Sequence, residues 1–259
     1  DQGPAAARAI MTTDPFPKEA AARVTVGSGI VTVGGTAKGS GMIEPNMATM
    51  LGFITTDAAV PQALLARALR EVVDDTFNAI TVDGECSTND CVMILANGAS
   101  GVTIDDSTYP AFAEALRAVC LPLALGIVRG GEGATKLVTV NVTGAATSAE
   151  ARQCAKAIAN SPLVKTALHG GDPNWGRLIA VAGRAGVAFA LDHARVTIGS
   201  VELFRDGKPY DDLAPEAAAY LKNDELTLTV HLGAGEATST VWTCDLSADY
   251  VKINAEYRT

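Results

Sequence analysis

Histidine and cationic charge are both scarce in this 259-residue chain, and each shortage removes a class of function. The three histidines, His169, His193 and His231, stand far apart in sequence, so none is nominated as the base of a serine or cysteine triad. Lysine and arginine number 20 against 29 acidic residues, a net charge of −9, and no basic stripe runs along the chain. The footprint of a nucleic-acid binder is therefore missing, and a small-molecule partner is expected. No uninterrupted apolar run approaches the roughly 20 residues of a membrane-spanning helix, and no charged head with an apolar middle marks a secretory leader. The expectation is a cytosolic protein with no membrane partner. The five cysteines, Cys86, Cys91, Cys120, Cys154 and Cys244, are an odd and scattered set. They read as reduced core thiols, and Cys86 with Cys91 lacks the further ligands that a tetrahedral metal site needs. No metal is expected.

What is present is apolar: 48% hydrophobic against 19% charged residues, enough for a substantial core. The chain starts at Asp1 and runs straight into Gly3-Pro4-Ala5-Ala6-Ala7, which reads as a helix entered partway through a longer protein. A short helix over residues 4–11 is broken by Asp14-Pro15-Phe16-Pro17. Arg23–Val26 and Ile30–Val33 are β-branched runs joined by Gly27-Ser28-Gly29, a hairpin. A glycine-rich loop, Gly34 to Gly41, then delivers the chain to the apolar strand Ala48–Asp57, expected to be buried on both faces. An amphipathic helix follows over Pro61–Phe77. Strands are expected at Ala79–Val82, Cys91–Leu95 and Leu137–Val142, and helices at 111–124 and 148–159, the latter opened by the capping box Thr147-x-x-Glu150. From Val187 onward short strands dominate, at Val196–Ile198, Leu226–His231 and Thr238–Thr243, with one helix near Pro215–Leu221. The fold class is thus α/β, layered helices and sheets, with a strand-rich C-terminal portion.

The stretch from Lys38 to Asp57 holds the chemistry. A threonine entering a buried strand is ordinarily a β-former hydrogen-bonded to a neighbour. Thr49 has a second use, because it follows the small residue Ala48. Its hydroxyl can attack the upstream carbonyl, pass through an ester and, after hydrolysis, share one residue with a free α-amine. That amine has a reference pKa of about 7.7–8.0, low enough to act as base for the same hydroxyl near neutrality. No histidine is required.

Beyond this generic logic, the segment Lys38-Gly39-Ser40-Gly41-Met42-Ile43-Glu44-Pro45-Asn46-Met47-Ala48-Thr49-Met50-Leu51 closely resembles the processing site of the ornithine acetyltransferase family of arginine biosynthesis. Further motifs of that family recur in family order over the whole chain. They are Met11-Thr12-Thr13-Asp14, Ser87-Thr88-Asn89-Asp90 with Ala96-Asn97-Gly98, Gly131 to Lys136, Asp172-Pro173-Asn174-Trp175-Gly176-Arg177, and the terminal Tyr250 to Thr259. The resemblance implies a fold of the aminopeptidase/ornithine-acetyltransferase type and a self-cleaving enzyme. It would be cut between Ala48 and Thr49 into residues 1–48, the tail of an α chain, and 49–259, the β chain. It also implies ping-pong acyl transfer. Thr49 takes acetyl from N-acetylornithine, releases ornithine and passes the acetyl group to glutamate, and some members also use acetyl-coenzyme A as donor; no cofactor is implied.

Carried over residue by residue, the family's pocket falls on Thr12, Lys38, Thr49, Glu132, Asn254 and Thr259. Lys38 suits the substrate α-carboxylate, and Glu132 suits the side-chain ammonium of ornithine or assists proton movement. Outside the resemblance, Lys38 and Glu132 read as solvated loop charges, and Asn254 and Thr259 as turn and terminus residues. Trp175 reads as a core aromatic with Asp172 as a helix cap. Ser87 to Asp90 either turns the chain or supports the site from behind. Two departures stand out. The threonine-glycine pair of the family's oxyanion hole has no match here, as expected if an N-terminal part is missing, and Leu168-His169-Gly170-Gly171 differs from the family pattern. The assembly implied is an α₂β₂ heterotetramer. The rival activity is that of an N-terminal-nucleophile aminopeptidase or amidohydrolase, with water as acceptor. A second rival is a ligand-binding module that is never cut.

Overall fold

The computed structural model describes residues 2–44 and 50–256, which form two compact units dividing between Gly131 and Glu132.

In the first unit a short helix α1 (Gly3–Ala9) precedes strands β1 (Lys18–Val26), β2 (Gly29–Lys38), β3 (Leu51–Thr56) and β4 (Cys91–Ala96), with helices α2 (Gln62–Asp74) and α3 (Tyr109–Arg129). The sheet order is β1-β2-β3-β4. The first two pairings are antiparallel and β3 with β4 is parallel. The expected hairpin is there, turned at Gly27 with φ +59°, which glycine adopts without steric cost. It is longer than expected, because Gly34 to Lys38 is strand and not loop. The reason is close packing: a Cβ at Gly35 would lie 2.6 Å from Ile54 Cδ1 and 3.0 Å from the Phe53 carbonyl. Glycine there lets β3 approach instead of letting the chain turn.

Two further expectations are corrected. Strand β3 is not buried on both faces; Gly52, Ile54 and Thr56 are buried, while Thr55 on the opposite face is exposed. Ala79–Val82 is not a strand but follows a 3₁₀ turn at Phe77–Ala79. Its side chains Ile80 and Val82 are buried, so the apolar run plugs the core, with strand-like pairing confined to a bridge at Ile80 among the described residues. Helix α3 is apolar and long enough to span a membrane by length and composition. Half of that apolar stretch is buried, including Phe112, Leu116, Leu123 and Ile127, and it packs on β1 and β2.

The second unit has strands β5 (Leu137–Ala145), β6 (Arg195–Ile198), β7 (Val201–Arg205), β8 (Lys208–Pro209), β9 (Glu225–His231) and β10 (Ala237–Cys244). Its helices are α4 (Ser148–Ala159), α5 (Pro162–Gly170), α6 (Trp175–Arg184), α7 (Ala214–Tyr220) and α8 (Ala248–Glu256). The sheet runs β10-β5-β9-β6-β7-β8, with β5 and β9 parallel and the rest antiparallel. Val138, Val140 and Val142 of β5 point into the core at period two and are fully buried, each worth about 1.5–3 kcal/mol of apolar burial. They meet Ala151, Ala155 and Ile158, one face of α4. Thr147 caps α4 by accepting from the Glu150 N–H at 3.2 Å, as the capping pattern predicted. At α6 the cap is Asn174, which accepts from Arg177 N–H; Asp172 is not the cap. Trp175 is only partly buried, stacked on Phe204 with its Nε1 donating to Asp211 at 2.8 Å.

Both units are sheets covered by helices, and the C-terminal part is strand-rich. This is the α/β class expected. The cysteines depart in part: Cys120, Cys154 and Cys244 are buried, but Cys86 is exposed and Cys91 half-buried, and none of the five is in a disulfide among the described residues. Among the described residues no cluster of histidine, cysteine and carboxylates could hold a metal ion.

Candidate active site

The expected residues form two local clusters, one in each unit. Ala48, Thr49 and Thr259 lie outside the described residues.

The first cluster is built on the turn after α1. Thr12 N–H donates to Asp14 Oδ2 at 3.1 Å, and Asp14 Oδ1 accepts from Gly39 N–H at 2.8 Å and from Lys18 Nζ at 2.5 Å. Asp14 therefore ties the Thr12 turn to the end of β2, where Lys38 stands. Thr13 Oγ1 adds a second tie, 2.5 Å from Ser40 Oγ. Lys38 is 8% exposed, and its Nζ lies 3.5 Å from Thr12 Oγ1. Thr12 and Lys38 are thus brought together. Lys38 is not the solvated loop charge of the alternative reading. Among the described residues it makes no ion pair, and a buried ammonium without a counter-ion is costly. Such a group favours an anionic ligand. Burial would raise the Asp14 carboxyl, but the Gly39 N–H, Lys18 and the Thr12 N–H outweigh it and hold its pKa below the ordinary value.

The second cluster is built on the loop 131–136. Gly133 has φ +69°, and a Cβ there would lie 2.5 Å from Tyr250 N. Its carbonyl accepts from Ser247 Oγ at 2.6 Å. Asp245 is buried and takes Thr135 N–H at 2.7 Å, Lys136 N–H at 2.9 Å and Thr135 Oγ1 at 2.6 Å. The loop is thereby pinned to the turn that leads into α8. Asn254 on α8 donates from Nδ2 to Glu132 Oε2 at 2.9 Å, and also to the Tyr250 carbonyl at 3.0 Å. Glu132 and Asn254 are thus also brought together.

Several residues without an assigned role organise these clusters or the chain beside them: Asp14 and Asp245 hold the clusters, while Asp83 accepts from Met42 and Ile43 N–H and Asp90 from Met50 N–H. Asp14 and Asp90 lie inside quoted motifs; an aspartate closing a Thr-Thr-Asp turn is the signal that could have singled out Asp14. Asp83 and Asp245 carry no sequence signal, because their partners are distant in the chain, whereas Lys18 stands four residues from its partner Asp14. His169 pairs through Nδ1 with Asp245 Oδ2 at 2.7 Å, a supporting contact far in sequence from both pairs. A groove of about 640 Å³ in the first unit, lined by Glu19, Gly35, Phe53 and Thr55, contains none of the expected residues.

A model of the ArgJ family matches residues 2–259. The arginine biosynthesis bifunctional protein ArgJ of Symbiobacterium thermophilum is 53% identical over 262 residues, covering 99% of this chain and 65% of that protein. The protein of the same name from Bacillus subtilis is 46% identical over 254 residues, covering 97% of this chain and 63% of that protein. The chain thus spans just under two thirds of the length of these curated relatives. Among solved structures, the crystal structure of arginine biosynthesis bifunctional protein argJ from Bacillus halodurans matches with TM-score 0.78 and 44% identity, over 81% of this chain and 100% of that one. With the family model matched from residue 2 to the last residue, this chain belongs to the ArgJ family.

Proposed function

We propose that this chain is the catalytic part of a glutamate N-acetyltransferase that moves acetyl from N2-acetylornithine to glutamate through an acetyl-threonine at Thr49. The observation that carries the reading is Lys38: a buried ammonium beside Thr12 with no counter-ion among the described residues. Both substrates bring an α-carboxylate to such a group. The family resemblance assigns Glu132, which accepts from Asn254 Nδ2, to the ammonium of ornithine, and Thr259 to a further polar contact.

The nucleophile becomes available when the Ala48–Thr49 bond is cut by the chain itself, leaving residues 1–48 on one chain and 49–259 on the other. The Thr49 amine then acts as base for its own hydroxyl. The relatives' printed name, arginine biosynthesis bifunctional protein, supports placing the reaction in arginine biosynthesis with a second activity beside it, for which the family resemblance implies acetyl-coenzyme A as donor. No cofactor takes part. The enzyme works in the cytoplasm as an α₂β₂ assembly of the two halves of each precursor.

The test is intact mass spectrometry of the full gene product and of a Thr49→Ala variant, followed by assay with acetyl-labelled N-acetylornithine. Expected are two masses with Thr49 at a new N-terminus, one uncut mass in the variant, and label transferred to glutamate. Release of free acetate irrespective of glutamate would establish the amidohydrolase instead. An uncut wild type would remove the nucleophile and favour a binding module.

A further inference from the structure

The first cluster holds two buried ammonium groups, Lys18 at 4% and Lys38 at 8% exposure, around the carboxylate of Asp14. Asp14 Oδ1 accepts from the N–H of Gly39, the residue next to Lys38, and Asp14 Oδ2 from the N–H of Thr12, whose hydroxyl lies 3.5 Å from Lys38 Nζ. A lysine stem is flexible enough to turn its head across such a gap. Yet Asp14 is paired with Lys18, Oδ1 to Nζ at 2.5 Å, and Lys38 makes no ion pair among the described residues. Asp90, the other carboxylate that feels the charge of Lys38, keeps its Oδ2 buried without a hydrogen-bond partner and does not take the ammonium either.

The place of Lys18 is built into the fold. Its side chain crosses α3 at two glycines: a Cβ at Gly126 would lie 3.3 Å from Lys18 Cγ, and one at Gly130, just past the helix end, 3.3 Å from Lys18 Nζ. The head also donates to the Phe16 carbonyl at 3.4 Å and stands 5.0 Å from the centre of the Phe16 ring. Burial lowers the Lys18 pKa and Asp14 raises it, while the charge of Lys38 lowers it further, as expected for two cations set against one anion.

We propose that Lys18 is a positioning residue for substrate binding: by occupying Asp14 it denies Lys38 an internal counter-ion and keeps that ammonium free for the α-carboxylate of an amino-acid substrate. This rests on the reading of Lys38 as the group that receives that carboxylate. Lys18 makes and breaks no bond in the reaction; it biases an equilibrium. Without its charge, Asp14 is a buried carboxylate lacking a cation, a costly state that Lys38 relieves by turning onto it. Substrate must then displace Asp14 from Lys38 before it binds, so its apparent affinity falls by the worth of that pairing. The loss is one of binding and appears in KM, not in kcat.

The experiment is steady-state acetyl transfer from N-acetylornithine to glutamate by the full-length gene product, comparing wild type with Lys18→Gln, Asp14→Asn/Lys18→Gln and Lys38→Gln. Lys18→Gln keeps a donor for Asp14 Oδ1 but carries no charge. Its KM for both substrates should rise roughly 10- to 100-fold, the worth of a hydrogen bond between charged groups, with kcat little changed. Neutralising Asp14 as well should recover most of that loss, because no carboxylate is left to capture Lys38. A merely structural role predicts the opposite order, since the double variant departs further from the native cluster and should lose kcat and KM together. Unchanged KM in Lys18→Gln, or a double variant no better than the single one, overturns the role of Lys18. A raised KM in Lys38→Gln beside either result leaves the reading of Lys38 standing; an unchanged KM there removes Lys38 from the pocket and the inference with it. If circular dichroism shows Lys18→Gln unfolded, the double variant decides, because it leaves no buried charge unpaired at that pair: KM values as high as those of Lys38→Gln overturn the proposal, and lower ones uphold it. A wild type that transfers no acetyl group to glutamate overturns the proposed function and this inference together.

Discussion

Replacing Asp14 by asparagine removes the charge against which Lys18 is buried. The two side chains are 0% and 2% exposed and 2.5 Å apart, so the lysine left behind has no water to turn to. Removing one partner of such a pair costs about 3–5 kcal/mol, far more than losing an exposed pair. For a protein of this size that corresponds to a fall of roughly 6–20 °C in melting temperature. Urea unfolding of an uncut Thr49→Ala background keeps the transition unimolecular and gives the difference directly. The pH dependence follows from the direction of the shift. The folded Asp14 carboxyl lies below its ordinary value of 3.8, so its stabilisation is fully present above that value and is lost as pH falls through the folded pKa. The gap between wild type and Asp14→Asn should therefore hold across neutral pH and close in acid. Exchanging both residues for apolar ones, Asp14→Leu with Lys18→Met, should restore much of the stability. Recovery should be incomplete, because the Thr12 and Gly39 N–H groups also lose their acceptor. A loss below about 1 kcal/mol in the single variant would refute the claim that this pair is desolvated.

Glu132→Gln should raise KM for N-acetylornithine by roughly 10- to 100-fold in steady-state kinetics, the value of one charge-assisted hydrogen bond; an unchanged KM would remove Glu132 from the pocket. Asp245→Ala leaves the Thr135 and Lys136 N–H groups without an acceptor in the second unit and should cost about 2–4 kcal/mol in urea unfolding. Burial alone would raise the Asp245 carboxyl, yet Thr135, His169 and Lys136 bring it below 3.8, so its contribution too should vanish only as pH falls below that value. Gly133→Ala puts a Cβ 2.5 Å from Tyr250 N at a left-handed φ. It should cost at least about 1–2 kcal/mol and shift α8, seen as lost amide protection around Tyr250 and a raised KM.

Elements whose signal is local were legible in the sequence. The alternation of β5, the capped start of α4 and the β1–β2 hairpin all came from spacing within one segment. Gly34 and Gly35 were misread because a glycine that turns a chain and one that admits a neighbouring strand look alike until Ile54 is placed beside it. Ile80 and Val82 were misread because a short apolar run does not say whether it pairs or plugs. In the site, Thr12, Lys38, Glu132 and Asn254 came from the family resemblance, and the structure adds how they pair. The carboxylates that hold them, Asp14 and Asp245, bind backbone N–H groups 25 and 110 residues away, a relation that residue spacing does not encode.

The partnership of Lys38 with Leu51 in the β2–β3 ladder makes the connection between them, residues 39–50, the loop of an antiparallel hairpin. Cutting that loop converts one hairpin into two complementary fragments without removing a rung. Before the cut, a short tether brings the strands together at high effective concentration, and closing such a loop costs little entropy. After it, any rejoining would be a bimolecular encounter at cellular dilution. Under the proposed self-cleavage the order of events is therefore fixed: folding comes first while the tether lasts, and a scission that creates the free amine is safe only once the sheet no longer needs it.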